Sequence, residues 1–245
     1  MKRSKDGYGA ELLAAYNAAG HACMEIVERD DGFISASPWP QRYFSDYPVW
    51  TKREQQAIRM ASGRVLDIGC GAGRFSLYLQ SEGLDVIAID NSPGAIKVCK
   101  LRGVKKAFLR PIIELGKFKP GLFNTVIMMG NNFGLFGSFK KAKHLLKILF
   151  RITNEHGIII AETVNPYSTR EPAHLRYQRL NRNRGLMPGQ LRLRVRYDNI
   201  IGHWFDYLLV SKEEMEDILA ETGWRIQKII LDKGPGYTAI LSKTE

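Results

Sequence analysis

The chain has 245 residues, a formal net charge of +11 and an apolar share of 44%, which suits one large domain or a domain with a small cap and is enough to bury a sizeable core. No apolar run is long enough to span a membrane, and the basic start, Met1–Gly7, is not followed by an apolar signal segment. Cys23, Cys70 and Cys99 are odd in number and lack metal-type spacing, so they read as reduced thiols of a cytoplasmic protein with no metal.

Residues 8–28 read as a helix, with Leu12, Leu13, Tyr16 and Ala19 on one face and Cys23, Ile26 and Val27 continuing it. Asp30-Asp31-Gly32 breaks the pattern. An aromatic stretch, residues 38–50, follows, and a helix around 51–61 leads to Gly63. Val65-Leu66-Asp67-Ile68 is then a buried strand that runs into Gly69-Cys70-Gly71-Ala72-Gly73 and a helix from Arg74. Side chains at the three glycines would keep a ligand off the backbone, and the helix start offers unpaired N–H groups. The strand 85–90 closes on Asp90, at the distance expected of a ribose-hydroxyl acceptor.

A dinucleotide fingerprint has its third glycine one residue later, where this chain has Arg74. Asp67, the Gly-x-Gly-x-Gly turn and Asp90 instead closely resemble the nucleotide-binding core of class I S-adenosylmethionine-dependent methyltransferases. The resemblance covers Val65–Gly73 and Asp90. It implies S-adenosyl-L-methionine as cofactor, with Asp67, Gly69, Cys70, Gly71, Gly73, Asp90 and Asn91 around it.

Downstream the chain alternates helix and strand: helix 92–101, strand 106–110, strand 122–129, helix 140–153 and strand 157–164. A helix at 212–222 and strands 224–231 and 237–242 close it. The expected fold is α/β: a Rossmann-like, mostly parallel seven-stranded sheet with one antiparallel strand near the C-terminus. To this the chain adds an N-terminal helical and aromatic cap (1–62) and an inserted lid or side sheet (165–210), which leaves 63–164 and 211–245 as the core. Within the insertion, 172–184 reads as an Arg-rich helix, and 190–197 as a strand with Arg192, Arg194 and Arg196 on one face. Ile200–Val210 is placed as its hairpin partner.

Ligands of open α/β sheets bind beyond the carboxyl ends of the strands, which points to the loop after strand 122–129. By the resemblance, Gly130 and Asn131 there contact the cofactor and Asn132 the acceptor, with Ile113 packing near the adenine. Family members often fold an aromatic N-terminal segment over the cofactor, so Tyr43 and Tyr47, with Trp204 from the insertion, are candidate walls of the acceptor pocket. The chain departs from the family at 108–114, which lacks the usual acid for the adenine amine, and at Asn124, where Asp is usual.

A base is needed only if the acceptor must lose a proton. His203, Glu162 and Tyr43 are the candidates, with Asp206 behind them, and none is assigned. The primary expectation is methyl transfer to oxygen or nitrogen of a small molecule. The alternative is a tRNA or rRNA methyltransferase that uses the basic insertion, and a non-catalytic binder stands third. Arginine alternation over an apolar inner face suits a lid, and no appended RNA-binding module is visible. No membrane partner is expected, and oligomeric state is left open.

Overall fold

The structure, a computed structural model, describes residues 5–18 and 24–244. Helix α1 (Gly7–Asn17) starts at Asp6, whose carboxylate accepts the Gly9 N–H at 2.9 Å. The same carboxylate takes Ser92 Oγ and the Gly94 N–H, both at 2.9 Å, at the head of a later helix, so one acid serves two helix starts. The first helix is shorter than its pattern suggests. Glu25–Arg29 is strand β1, paired with β2 (Ile34–Ser37) across a turn at Asp30–Gly32. Ile26 and Val27 are β-branched and fit a pleated ladder better than a helix. Ala19 and Cys23 lie outside the described residues.

The aromatic stretch holds a short helix α2 (Trp39–Arg42) and a single 3-10 turn, Tyr47–Val49. Helix α3 (Lys52–Ile58) opens on a capping box, with Thr51 and Glu54 each bonding the other's backbone N–H. Then come β3 (Arg64–Ile68), α4 (Arg74–Ser81), β4 (Asp85–Asp90), α5 (Pro93–Leu101) and β5 (Ala107–Leu109). After a 3-10 turn at Ile112–Lys117 follow β6 (Phe123–Met128), α6 (Phe139–Ile152) and β7 (Thr153–Val164). Helix α6 buries Ala142, Leu145, Leu146, Leu149 and Ile152, the three-and-four spacing of one helix face, and its lysines lie outside that stripe.

The insertion holds α7 (Pro172–Asn183), β8 (Gln190–Tyr197), β9 (Ile200–Ile201) and β10 (Phe205–Leu208). Helix α8 (Lys212–Leu219), β11 (Trp224–Leu231) and β12 (Gly236–Lys243) end the chain. Seven strands form one sheet in the order β11-β12-β7-β6-β3-β4-β5. The β4–β5 and β6–β7 pairs are parallel, and β12 runs antiparallel to both its neighbours, as expected of the α/β class above. A second sheet has the order β10-β8-β1-β2, with β9 on β8. Strands β8, β9 and β10 thus share this second sheet with a hairpin, β1–β2, that the N-terminal pattern does not announce.

By contact density the chain falls into two compact units. The first holds 1–50, 67–111 and 192–205, and the second 51–66, 112–191 and 206–245. Residues 165–210 therefore divide between them. In the first unit, Leu12 of α1 packs with Ala72, Ala95 and Val98, and a Cβ on Gly94 would meet the Gly9 backbone at 2.5 Å, so α1 and α5 touch backbone to backbone. In the second, Arg53 and Glu162 pair at 2.6 Å in a buried position. No helix of the described residues is long and apolar enough to cross a membrane.

Candidate active site

The glycine turn belongs to the first unit. Gly69, Gly71 and Gly73 all have positive φ, in a region that side chains disfavour. Gly71 (φ 55°) is the most telling, because a Cβ there would lie 2.6 Å from the Tyr8 hydroxyl oxygen and, among the described residues, within 4 Å of no side chain but Tyr8. The turn ends at Gly73, which starts α4 with no side-chain cap, so the positive end of that helix faces the turn. Asp90 accepts the Gly71 N–H at 3.0 Å on one oxygen and the Ser92 N–H at 2.9 Å on the other. With a third backbone bond, from Asn91, the carboxylate is held in place and keeps acceptor capacity for a ribose hydroxyl. Burial pushes its pKa up, against the backbone bonds that lower it. These features fit a ribose and an anionic tail, as the cofactor requires.

Asp67 is buried and accepts from Ser76 Oγ at 2.6 Å, which ties β3 to α4. Burial raises its pKa to about 7, opposed by the Ser76 bond. The Cys70 and Cys99 sulfurs, 29 residues apart in sequence, lie 3.6 Å apart in the interior. Asn91 is exposed in side chain, and its backbone bonds Asp90. Tyr47 stacks on Tyr78 at 4.4 Å and meets Trp50 edge-on, so it builds the packing of α4. Tyr43 donates to Glu25 Oε1 at 2.9 Å and meets the Tyr8 ring edge-on at 5.7 Å. Trp204 lies under the Arg194 guanidinium at 4.3 Å. His203 is exposed.

In the second unit, Gly130 (φ 72°) follows β6 with open space beside its α-carbon. Its N–H donates to Glu162 Oε2 at 2.7 Å. Glu162, read as a candidate base, thus has one oxygen on Arg53 and the other on Gly130. Asn131 is left-handed (φ 66°), its carbonyl accepts from Tyr207 Oη at 2.6 Å, and its buried Oδ1 has no partner. Tyr207 also packs on Gly134, so this loop is held from two sides. Asn132, half-buried, opens the 3-10 turn that follows. Ile113 is 76% exposed, and Asp206 pairs with Lys141.

Tyr8, Glu11 and Glu25 escaped the sequence reading. Glu11 is fully buried, yet among the described residues neither carboxylate oxygen has a hydrogen-bond partner. A carboxyl beside Leu12, on the buried side of an apolar helix, was the available signal. Burial, with repulsion from Glu25 behind it, pushes the Glu11 pKa from 4.5 to about 9. A pKa raised on folding means that the native state holds the proton longer. Its stabilising contribution is complete below about pH 4.5 and is lost as pH climbs toward 9. Glu11→Gln should therefore flatten the decline of stability over that window. Urea titrations of both proteins across the range test this, and an unchanged slope would remove Glu11 as its source.

The comparisons agree with this geometry. A family model described as "Methyltransferase domain" matches residues 50–229. A ubiquinone biosynthesis O-methyltransferase of Xanthomonas euvesicatoria pv. vesicatoria is 32% identical over 87 residues, which is 34% of this chain and 36% of that protein. The chain thus matches only about a third of such curated relatives. A SAM-dependent methyltransferase from Bacteroides fragilis, solved with S-adenosyl-L-homocysteine, superposes with a TM-score of 0.82 at 25% identity, covering 98% of this chain and 96% of that one. The CcbJ methyltransferase of Streptomyces caelestis shares the fold, with a TM-score of 0.61 at 12% identity over 99% of this chain and 100% of its own. With the glycine turn, Asp90 and the sheet order in place, the chain belongs to the class I S-adenosylmethionine-dependent methyltransferases, and its cofactor is S-adenosyl-L-methionine.

Proposed function

We propose that the protein transfers a methyl group to an oxygen or nitrogen of a small-molecule acceptor. The cofactor supplies a methyl carbon already activated by its sulfonium. What the chain adds is position: Asp90 for the ribose, and the turn 69–73 with the head of α4 for the anionic end. Alignment of two reactants in this way removes several kcal/mol of barrier, of the order of 7 for good geometry. Gly130 and Asn131 remain proposed cofactor contacts, supported by the open face of one and the unpartnered amide oxygen of the other. No side chain is assigned as base. Tyr43 and Glu162 already hold the bonds described, and His203 is exposed.

The observation that carries the choice of acceptor is Glu28. It takes Arg194 through both oxygens, at 2.9 and 2.8 Å, and Arg196 at 3.1 Å. The hydrogen bonds from Arg194, with the charge of both arginines, lower the Glu28 pKa from its ordinary value. Arginines that read phosphates are not expected to be spent on a strand-to-strand ion pair. The names of the relatives, which include an enzyme of ubiquinone biosynthesis, point the same way.

The test is to incubate the protein with methyl-labelled cofactor and a cell extract, then ask where the label goes. We expect it in the small-molecule fraction. Replacement of Arg192, Arg194 and Arg196 together by Gln should leave that transfer within about twofold, because exposed and half-exposed ion pairs contribute roughly 1 kcal/mol or less each. A large loss of salt-dependent RNA binding in the triple variant, with label in RNA, would overturn the reading.

A further inference from the structure

Glu11 and Glu25 are an anomaly in a chain with 36 lysines and arginines. Glu11 is fully buried with both oxygens unpartnered, and Glu25 is half-buried, its hydrogen bond coming from the neutral Tyr43 hydroxyl. Among the described residues no lysine, arginine or histidine bonds either carboxyl. Placing a carboxyl in the interior without a cation is costly, and a leucine or glutamine at position 11 would avoid the cost. The second acid, close enough to repel the first, raises it further. A cation stabilises such a pair, and the described residues supply none.

The surroundings suit one. Tyr8 and Tyr43 are half-buried, and their rings meet at 86° with centroids 5.7 Å apart, which offers an aromatic face beside the acids. Aromatic faces attract cations. Tyr8 and Glu11 are three residues apart on α1 and so share a face of the helix. The Tyr8 hydroxyl lies over Gly71, so the cluster adjoins the turn assigned to the cofactor. It also sits within one unit, on α1, β1 and the residue that closes α2.

We infer that Glu11, Glu25, Tyr8 and Tyr43 form an acceptor subsite that receives a cationic nitrogen, such as an ammonium or amidinium group. This rests on the small-molecule reading above and deepens it: the acceptor carries a positively charged nitrogen, whichever of its atoms is methylated. Among the described residues the titratable groups that act on Glu11 are Glu25 and, through Tyr8, Tyr43 and Asp90, none of them a cation. Because Glu11 keeps its proton to about pH 9, a bound cation must displace that proton, and cation affinity should rise with pH toward that value.

The probes are benzamidinium and its neutral isostere benzamide, titrated by calorimetry into the full chain loaded with S-adenosylhomocysteine. We expect benzamidinium to bind at least tenfold more tightly than benzamide. Its affinity should increase from pH 6 to pH 9 with proton release to the buffer. The preference should vanish in Glu11→Gln and shrink in Glu25→Gln, while both variants keep wild-type affinity for S-adenosylhomocysteine. Equal binding of the two probes, or a preference that survives both substitutions, would overturn the inference. So would a folded Glu11→Gln protein, judged by an intact thermal transition, that has lost S-adenosylhomocysteine, because the carboxyl would then serve the cofactor. Should Glu11→Gln not fold, the pH series on the wild type and the Glu25→Gln titration decide the matter. Label found in RNA in the extract experiment would defeat the small-molecule reading without touching the benzamidinium result, so the two failures are separable.

Discussion

Replacing Gly71 with valine is expected to abolish measurable binding of S-adenosylmethionine and S-adenosylhomocysteine. Two costs combine. At φ 55° a β-branched residue is strained, a penalty of order 1–3 kcal/mol. Its Cβ would also fall 2.6 Å from the Tyr8 oxygen, so it fills the cradle and pushes on α1. Together these amount to roughly 3 kcal/mol or more, at least a hundredfold in Kd. Gly71→Ala, with no branch, should lose less. Asp90→Ala should weaken binding by about 1.5–3 kcal/mol, the worth of hydrogen bonds to a charged acceptor, and also free the Gly71 and Ser92 N–H groups. Calorimetry with S-adenosylhomocysteine measures all three. Unchanged affinity in Gly71→Val, or comparable binding of NAD to the wild type, would refute the placement of the cofactor.

The second large effect lies in the second unit. Glu162→Ala leaves the Arg53 guanidinium buried without its counter-charge, and Arg53 Nε has no partner even in the intact protein. Breaking such a pair from one side costs about 3–5 kcal/mol, and here the Gly130 N–H loses its acceptor as well. For a chain of this size that is on the order of 10 °C in Tm. Replacing both partners with apolar residues, Arg53→Met with Glu162→Leu, should recover most of the loss, since two buried charges repay their desolvation poorly. Differential scanning calorimetry on the single and double variants tests this. A single variant that melts within 2 °C of wild type would show that the pair is not buried in solution. A double variant no better than the single would show that the Gly130 contact carries the effect.

Much of the fold was legible because its signals are local. The strand before Gly69, the run 157–164 and the helix 140–153 each announce themselves by period, and the elements stand within a few residues of those positions. The misreading at 25–28 has a physical cause. Ile26 and Val27 extend a helical apolar stripe as well as they fill a strand, and what settles the matter is β8, far along the chain, pairing Ile26 with Arg196 and Glu28 with Arg194. Tyr47 was read as a pocket wall from the family's aromatic N-terminal segment and Trp204 from its place in the insertion; their ring contacts with Tyr78 and Arg194 are a product of the folded chain and have no signal in the sequence.

By itself the sequence determined the turn: three glycines at alternate positions, an acid two before the first, and an acid closing the next strand. Backbone conformation within five residues is a local property, so side-chain absence at Gly71 can be read directly. Tertiary structure alone decided which charges meet. Glu28 and Arg194 are 166 residues apart, Arg53 and Glu162 are 109, and only chain folding brings each pair within 3 Å. The same folding leaves Glu11 beside Glu25 with no cation among the described residues. An ion pair has no periodicity along the chain, and its energy depends on burial, which no stretch of residues specifies before the chain is packed.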